Sequence, residues 1–580
     1  MSREIIVLKF GSSVLQTPSD VPNAVHEIYR WYRDGHRVVA IVSAIGQGTN
    51  WLLNQAREFS AAPDPHALAE LLATAARASA ALLGIALDRA GVPARAVDPR
   101  EFRLTALGEV LNSEPATVLS SQLEELLSAT PVLVVPGFFG YGAEGRLHLL
   151  GRGGSDLSAV FLAGALCARR CRLIKDVDGV YGRDPAILSV PPARRFAKID
   201  YRTAVEKAAP LIQPKAVRFL ERQSESAEVA GLASCYETII GRGENKIVDS
   251  DTAPRSKVVL LGLGTVGFGV YRRLRALSQH FRVIGALCLD PAKHEAEGVP
   301  PELLHDPHSI SALEPDVVVD ALPGINASRA QICHWLDRGV SVVSANKRLI
   351  AEDGQDLALI AEQSGAQLSY SAAVGGSAPM IEAIRAEAGR GDIRSIAGVL
   401  NGTCNFILDR RAEGLSIAEA IVEAQEKGFA EADPAEDLSG ADAGRKLRIL
   451  CRHAFGRELA ALDLEVLSAV SLARALRDKR PSQVLRIVAR SRQLSAGLFG
   501  EVRLAALDPD DPLATVQGEW NRLVVTRASG SRVVVSGRGA GRWPTTEAVI
   551  ADLLAWRHRQ RNTAELISRA ANESLQQGAR

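Results

Sequence analysis

The chain reads as an α/β protein built from at least two successive nucleotide-type domains. Three observations predict this. Short apolar runs alternate with helix-like stretches almost throughout. A glycine-rich turn between a strand and a helix begins only at Lys257, far too late to belong to a first domain. Between the two halves lies Gly241–Ser256 (GRGENKIVDSDTAPRS), a polar segment with the glycine and proline of a linker.

Taken in order, Ile5–Phe10, Arg37–Val42, Val132–Val135 and Cys171–Ile174 read as buried strands of the first half. Ala67–Leu87, rich in alanine and leucine, reads as a helix. After the linker, Val258–Leu261, Phe281–Leu287, Val317–Ala321, Val340–Ser344 and Gln367–Ala373 repeat the strand pattern, with a helix expected over Val270–Leu277. Asp392–Val399 opens a different section, which ends in two short β-like runs, Leu523–Thr526 and Arg532–Ser536. The polar tail after Asn562 is expected to fray. No repeat of solenoid period is present.

Bulk composition narrows the functional classes. The 580 residues, 47% hydrophobic, suffice for several full cores. The 68 basic and 67 acidic residues leave a formal net charge of +1, which argues against a bulk electrostatic binder of nucleic acid or membranes. Seven scattered cysteines without a C-x-x-C pair predict neither a disulfide framework nor a structural zinc site, and fit a reducing cytoplasm. No run of about 18 apolar residues suggests a membrane span. Met1–Lys9 has a strand pattern rather than a signal-peptide layout.

The second half carries the sharper chemistry. In KVVLLGLGTVGFGV, Gly262, Gly264 and Gly267 have G-x-G-x-x-G spacing, with Thr265 and Val266 between them. Glycines there let the backbone turn sharply and approach a pyrophosphate, whose charge meets the free N–H groups of the following helix. This predicts a Rossmann-type nucleotide-binding domain. Asp290, near the end of the next strand, is placed to bond a ribose diol and to repel a 2′-phosphate, which predicts NAD(H) over NADP(H). SANKRLIA puts Asn346 and Lys347 at a strand's carboxyl end, the edge where open α/β sheets bind ligands. GFAEADPAEDLSGADAGRK interleaves Glu431, Asp433, Glu436, Asp437 and Asp442 with glycine and proline ahead of Arg445 and Lys446. That pattern suits an ordered polar site better than a solvated helix face.

From about Lys257 to Arg557 these motifs resemble homoserine dehydrogenase. GLGTVG, ANK, VGGSAP (Val374–Pro379), GVLNGTCNFIL (Gly398–Leu408), the acidic run and GRGAG (Gly537–Gly541), with Thr545 and Thr546 behind it, follow that family's order. The resemblance implies reversible hydride transfer between aspartate semialdehyde and homoserine. It assigns Lys347 and Lys446 to catalysis. The cofactor falls to Gly262, Gly264, Thr265, Val266, Gly267, Asp290, Asn346 and Gly539. The substrate falls to Asn401, Gly402, Thr403, Glu431, Asp437 and Asp442. Several members bind a monovalent cation beside the V-G-x-G loop, behind an acidic residue. Ser371 stands at that acidic position here, so the expectation is against a cation site, although Val374 and Gly376 could supply carbonyls.

In the first half, IIVLKFGSSV runs a strand into a Gly/Ser turn with one lysine, a combination suited to phosphate oxygens. VSAIGQGTN, LGE, PGFFG, LGRGGSD and DVDGVYGRDP follow. This set resembles aspartate kinase of the amino-acid kinase family. That implies a three-layer αβα kinase fold and in-line phosphoryl transfer from ATP with Mg²⁺. By the same resemblance Lys9, Gly11, Ser12, Asp176, Tyr181 and Asp184 serve ATP, while Ser43, Glu109 and Arg152 serve aspartate. Two positions depart from the family wording. KFGSSV is one residue shorter than K-F-G-G-T-S-V and closer to glutamate 5-kinase, and Lys175 replaces the usual threonine before D-V-D-G. The short span between Arg242 and Lys257 leaves no room for the paired regulatory ACT modules that usually follow this kinase.

The expected layout is a kinase-like domain over 1–248, a linker over 249–256, a nucleotide-binding domain over 257–374 completed by 535–562, an α+β substrate and dimerisation domain over 375–534, and a tail over 563–580. The expected protein is a cytoplasmic homodimer or larger oligomer acting on small molecules. It would be bifunctional in the biosynthesis of threonine, methionine and lysine. The alternative is a homoserine dehydrogenase carrying an inactive kinase-like domain used for binding or assembly.

Overall fold

Residues 4–185, 187, 193–209, 211–248, 254–391, 393–430, 433–495 and 497–578 are described in the computed structural model, with side chains up to residue 563. The chain divides into two compact units, Met1–Arg89 with Pro93–Pro254, and Arg255–Arg580 with Ala90–Val92.

The first unit is organised by a nine-stranded mixed sheet. At its centre Ile5–Phe10 lies between Arg37–Val42 and Arg170–Lys175, parallel to both. Ile5–Phe10 is buried along its whole length, as a near-continuous apolar run in a parallel sheet should be. Register fixes the chemistry: Lys9 lies level with Ile41 on one side and Leu173 on the other. The predicted strands therefore stand within a residue or two of their expected limits. Pro65–Arg89 is helical. By length and composition it could cross a membrane, but Leu68, Leu72 and Ala76 pack with Phe139, Tyr141, Leu147 and Leu149 in a core of this unit.

The second unit contains two six-stranded sheets. The first is parallel. Its order is Leu304–His305, Phe281–Leu287, Ser256–Leu261, Val317–Asp320, Ser341–Ser344 and Leu368–Ser369. The chain's entry strand, Ser256–Leu261, is thus interior, and the winding reverses beside it. Ligands of doubly wound sheets bind at such a switch point, outside the carboxyl ends of the strands. The second sheet runs Ala461–Leu464, Gly497–Leu507, Val484–Leu494, Ile393–Val399, Trp520–Arg527 and Arg532–Arg538. Arg542–Gly578 then returns as a helix against Thr265–Ala276, where Arg273 donates to the buried Glu547.

Four features differ from the sequence reading or add to it. The helix behind the glycine turn starts at Thr265, not Val270, because Gly267 and Gly269 obscure its period while permitting close packing. Gln367–Ala373 is a strand only at Leu368–Ser369, and Ser371–Ala373 forms a 3₁₀ turn whose Ser371 N–H is held by Asp552 (3.0 Å). The polar tail after Asn562 continues as helical backbone to Gly578, in keeping with its Ala, Leu, Glu and Gln, which are good helix formers. The long hairpin of Val484–Leu494 and Gly497–Leu507 had no sequence counterpart.

Candidate active site

In the second unit Gly262 adopts φ +96°, a left-handed conformation that favours glycine. At Gly267 a Cβ would collide with the Gly262 carbonyl, so only glycine lets the helix approach the turn. At Gly264, by contrast, a Cβ would meet nothing within 4 Å. Gly264 and Thr265 are exposed, Val266 half-buried and Gly267 buried. The turn thus opens at the helix N-terminus and is closed behind it, and a pyrophosphate fits that cradle.

Asp290 is exposed and caps the Pro291–Ala296 helix, accepting from the Lys293 N–H at 3.2 Å. Asn346 caps Lys347–Ser364 through Leu349 N (3.2 Å) and donates to the carbonyls of Gly324 (2.5 Å) and Leu322 (3.3 Å). It thereby pins the loop after Val317–Asp320 to the edge of the site. Asp320, which sequence reasoning passed over, anchors the same edge. It is fully buried and accepts from Ser328 and Ser344 at 2.8 Å each. Burial raises its pKa against those donors. A lone acid ending an apolar strand was the available signal.

The chemical centre forms around Asp442, in the first turn of the buried-faced Ala441–Phe455 helix. Its Oδ1 pairs with Lys347, and its Oδ2 accepts from Lys446 (2.9 Å) and Asn401 (2.9 Å). Asp442 and Lys446 are buried, whereas the Lys347 side chain is 39% exposed. Burial alone would raise the Asp442 pKa, but Lys446 and then Lys347 hold it well below the usual carboxylate range. Burial pulls Lys446 down, partly offset by Asp442. Lys446 also donates to the Leu400 carbonyl at 2.7 Å. Asn401 caps Gly402–Ala412 and donates to Asp437 at 2.6 Å. Lys347, Lys446, Asn401, Asp437 and Asp442 are therefore one connected group. Gly402 packs on the Glu519 backbone, and Thr403 donates to the Phe429 carbonyl (2.7 Å), a local structural bond. Glu431 lies outside the described residues.

The return loop closes this group. Gly376 packs on Arg538 and Gly539, and Gly539 packs directly on the Asn521 amide. Asn521, fully buried and unsuspected from sequence, donates to the same Leu400 carbonyl that Lys446 uses (3.0 Å). Thr546 is buried against Gly269, and Thr545 N–H bonds Gly541 O (3.2 Å). Val374 is buried, and beside it Ser371 Oγ donates to Glu382 at 2.5 Å. Glu382, on the Met380–Ala388 helix, thus brings a carboxylate to the Ser371 position.

In the first unit Lys9 Nζ lies 2.7 Å from Asp156 Oδ1, and Lys175 reaches both oxygens of Asp156 at 3.2 and 3.1 Å. The Lys9 ammonium curls over Gly11, where a Cβ would lie 2.6 Å from it. Ser43 Oγ bonds Ser155 Oγ at 2.6 Å, joining the Val42 strand end to the RGGSD loop. Arg152, Glu109, Ser12, Asp176 and Asp184 are exposed. Tyr181 is half-buried, bridged to Arg195, and its pKa is raised by burial. Lys9, Gly11, Ser43 and the RGGSD loop are thus gathered at one sheet edge.

Comparison with known proteins matches these two regions. The amino acid kinase family model covers residues 4–230. A homoserine dehydrogenase NAD-binding domain model covers 262–371, and a homoserine dehydrogenase model covers 379–554. The homoserine dehydrogenase of Synechocystis sp. is 34% identical over 318 residues, 51% of this chain and 72% of that protein. That of Neisseria gonorrhoeae is 33% identical over 309 residues, 51% and 71%. The crystal structure of a homoserine dehydrogenase from Thiobacillus denitrificans aligns with 52% of this chain and 73% of its own, at 32% identity and a TM-score of 0.47.

Replacing Asp442 by Asn removes the counter-charge of two lysines. The Lys446 pKa then falls further, and the basic limb of the pH profile for reduction moves to lower pH, by about 1–3 units. A basic limb left in place would show that another group sets it.

Proposed function

Since the chain belongs to the homoserine dehydrogenase family, with an amino acid kinase domain ahead of it, we propose that it is bifunctional. Its second half reduces aspartate semialdehyde to homoserine, and its first half phosphorylates aspartate on its β-carboxylate. The observation that carries the dehydrogenase reading is the pair Lys347 and Lys446 on the single buried carboxylate of Asp442, at the open edge of a nucleotide-binding sheet.

The bound nicotinamide supplies the hydride. The residues supply placement, charge and a proton. As the aldehyde carbon is reduced, its oxygen gains negative charge, and a preorganised ammonium stabilises it without having to reorganise. Among the described residues Lys446 has two of its three donors committed, to Asp442 and to the Leu400 carbonyl. The third is left for that oxygen. Lys347, on the exposed side, can deliver the proton and recover it from solvent. Asp442 and the acidic run that includes Asp437 and Glu431 match the substrate's α-ammonium.

Lys347→Ala and Lys446→Ala should each lower kcat by roughly 10²–10³-fold, about 2.7–4 kcal/mol of lost transition-state stabilisation, with cofactor affinity nearly unchanged. Single-turnover reduction and cofactor titration measure the two quantities. Near-wild-type kcat in both variants would remove the assignment.

NAD(H) should be preferred over NADP(H). Asp290 uses one oxygen as a helix cap, and a carboxylate there still repels a 2′-phosphate. The ratio of kcat/KM for the two cofactors should fall in Asp290→Ser. An unchanged ratio would leave Asp290 as a cap alone.

For the first half, the reaction forms a bond from the β-carboxylate oxygen of aspartate to the γ-phosphorus of ATP, breaks the bond to the bridging oxygen, and releases ADP. Its product is an acyl phosphate, so a separate reductive dephosphorylation must supply the aldehyde used by the second half. Incubation with aspartate and Mg-ATP should yield hydroxamate on trapping, lost in Lys9→Ala and Arg152→Ala. Nucleotide binding without hydroxamate would make this half a binding module.

A further inference from the structure

Lys175 is foreign to the aspartate-kinase wording, yet it is built into the centre of the kinase half. Lys9 is level with Leu173 in the neighbouring parallel strand. Lys175 lies two residues further, hence on the same face of the sheet. Both ammonium groups converge on Asp156, in the first turn of the Gly154–Ala165 helix. All three residues are at least nine-tenths buried: Lys9 5%, Lys175 6% and Asp156 3% exposed.

The charges do not balance. Two cations share one anion, and the helix N-terminus adds partial positive charge of its own. A structural bridge needs only one lysine, and a surplus buried charge is costly. Desolvation and the neighbouring Lys9 pull the Lys175 pKa down to about 8, despite Asp156. Among the described residues, Lys9 and Asp156 are the charged groups that face it. Of the two ammonium groups, that of Lys9 overhangs the Gly11 turn, and Lys175 reaches the same Asp156 carboxylate. An entering phosphate would complete the charge count and bring Lys175 to its fully protonated form.

The geometry points to Lys175 as a second phosphate-binding cation of the kinase half, acting with Lys9 on the nucleotide's phosphates. The inference rests on the kinase reading. It gives the shortened KFGSSV turn a compensation: a lysine point charge replaces backbone donors that the longer turn would bring.

The test is calorimetry on the full chain at pH 8, with Mg-ATP and with inorganic tripolyphosphate, in two buffers of different ionisation enthalpy. Wild type should take up protons on binding, because an anion raises a lysine pKa that starts near 8. Lys175→Met should bind both probes roughly tenfold to a hundredfold more weakly, the worth of a hydrogen bond to a charged group. Its proton uptake should be lost and its melting temperature maintained, since Lys9 and Asp156 remain a neutral pair. Lys175→Arg should keep most of the affinity without proton uptake, because an arginine stays charged. Dehydrogenase activity of each preparation reports an intact chain. Unchanged affinity in Lys175→Met with a lowered melting temperature would make Lys175 a structural bridge and overturn the inference, leaving the kinase reading standing. Wild type that binds neither probe would overturn both.

Discussion

One carboxylate shared by two ammonium groups is the constraint around which the dehydrogenase half is arranged. Asp442 belongs to a helix of the substrate region, Lys347 opens the helix that follows a nucleotide-sheet strand, and Asn401 caps a third helix. A fully buried carboxylate tolerates this position only because each oxygen is met by cations or an amide. The ion cluster therefore joins the nucleotide sheet to the substrate sheet. Any shift of one sheet against the other exposes or orphans a charge. The depressed Asp442 pKa contributes stability that is present above its unfolded value and is lost as the pH falls toward its folded value.

The Leu400 carbonyl extends that cluster. It accepts from Lys446 on one side and Asn521 on the other. Asn521 in turn is pressed against Gly539. The Trp520–Arg527 strand, through Asn521, and Lys446 are thus coupled at a single oxygen, with Gly539 packed against the same asparagine. Gly537 shows the same tightness, since a Cβ there would strike the Ala378 backbone. The glycines of GRGAG consequently mark close packing, a role that sequence spacing alone does not reveal.

What was legible in the sequence was what local chemistry dictates. Strands such as Ile5–Phe10 and Phe281–Leu287 are mainly apolar runs paired in parallel with both neighbours, and their limits agree residue for residue. The glycine turn was legible because its spacing serves one geometry. The Val484–Leu494 strand was hidden: arginine recurs at 486, 490 and 492, yet Arg486 is buried against Asp409 (3.0 Å). Asn521 was equally hidden, because its partner lies 121 residues earlier and nothing near it repeats. Lys175 was visible as a departure, but its meaning required the register that sets it beside Lys9.

The two halves reach the same charge arrangement on unrelated frameworks, and the difference between them follows from their chemistry. In the dehydrogenase site the negative charge develops only during reaction, so the surplus cation must be tolerable beforehand. Lys347, partly exposed, keeps water around its charge and can exchange a proton with solvent. In the kinase half both lysines are buried, which suits a ligand that arrives fully charged. Such a ligand brings its own counter-charge and needs no proton from the protein. The cost before binding shows in the lowered Lys175 pKa, which desolvation and the Lys9 charge bring about. An ammonium whose proton is held less tightly when the site is empty, and more tightly when an anion occupies it, can be preorganised at lower cost. The degree of burial of the second lysine therefore distinguishes a site for standing negative charge from one for charge that forms in the transition state.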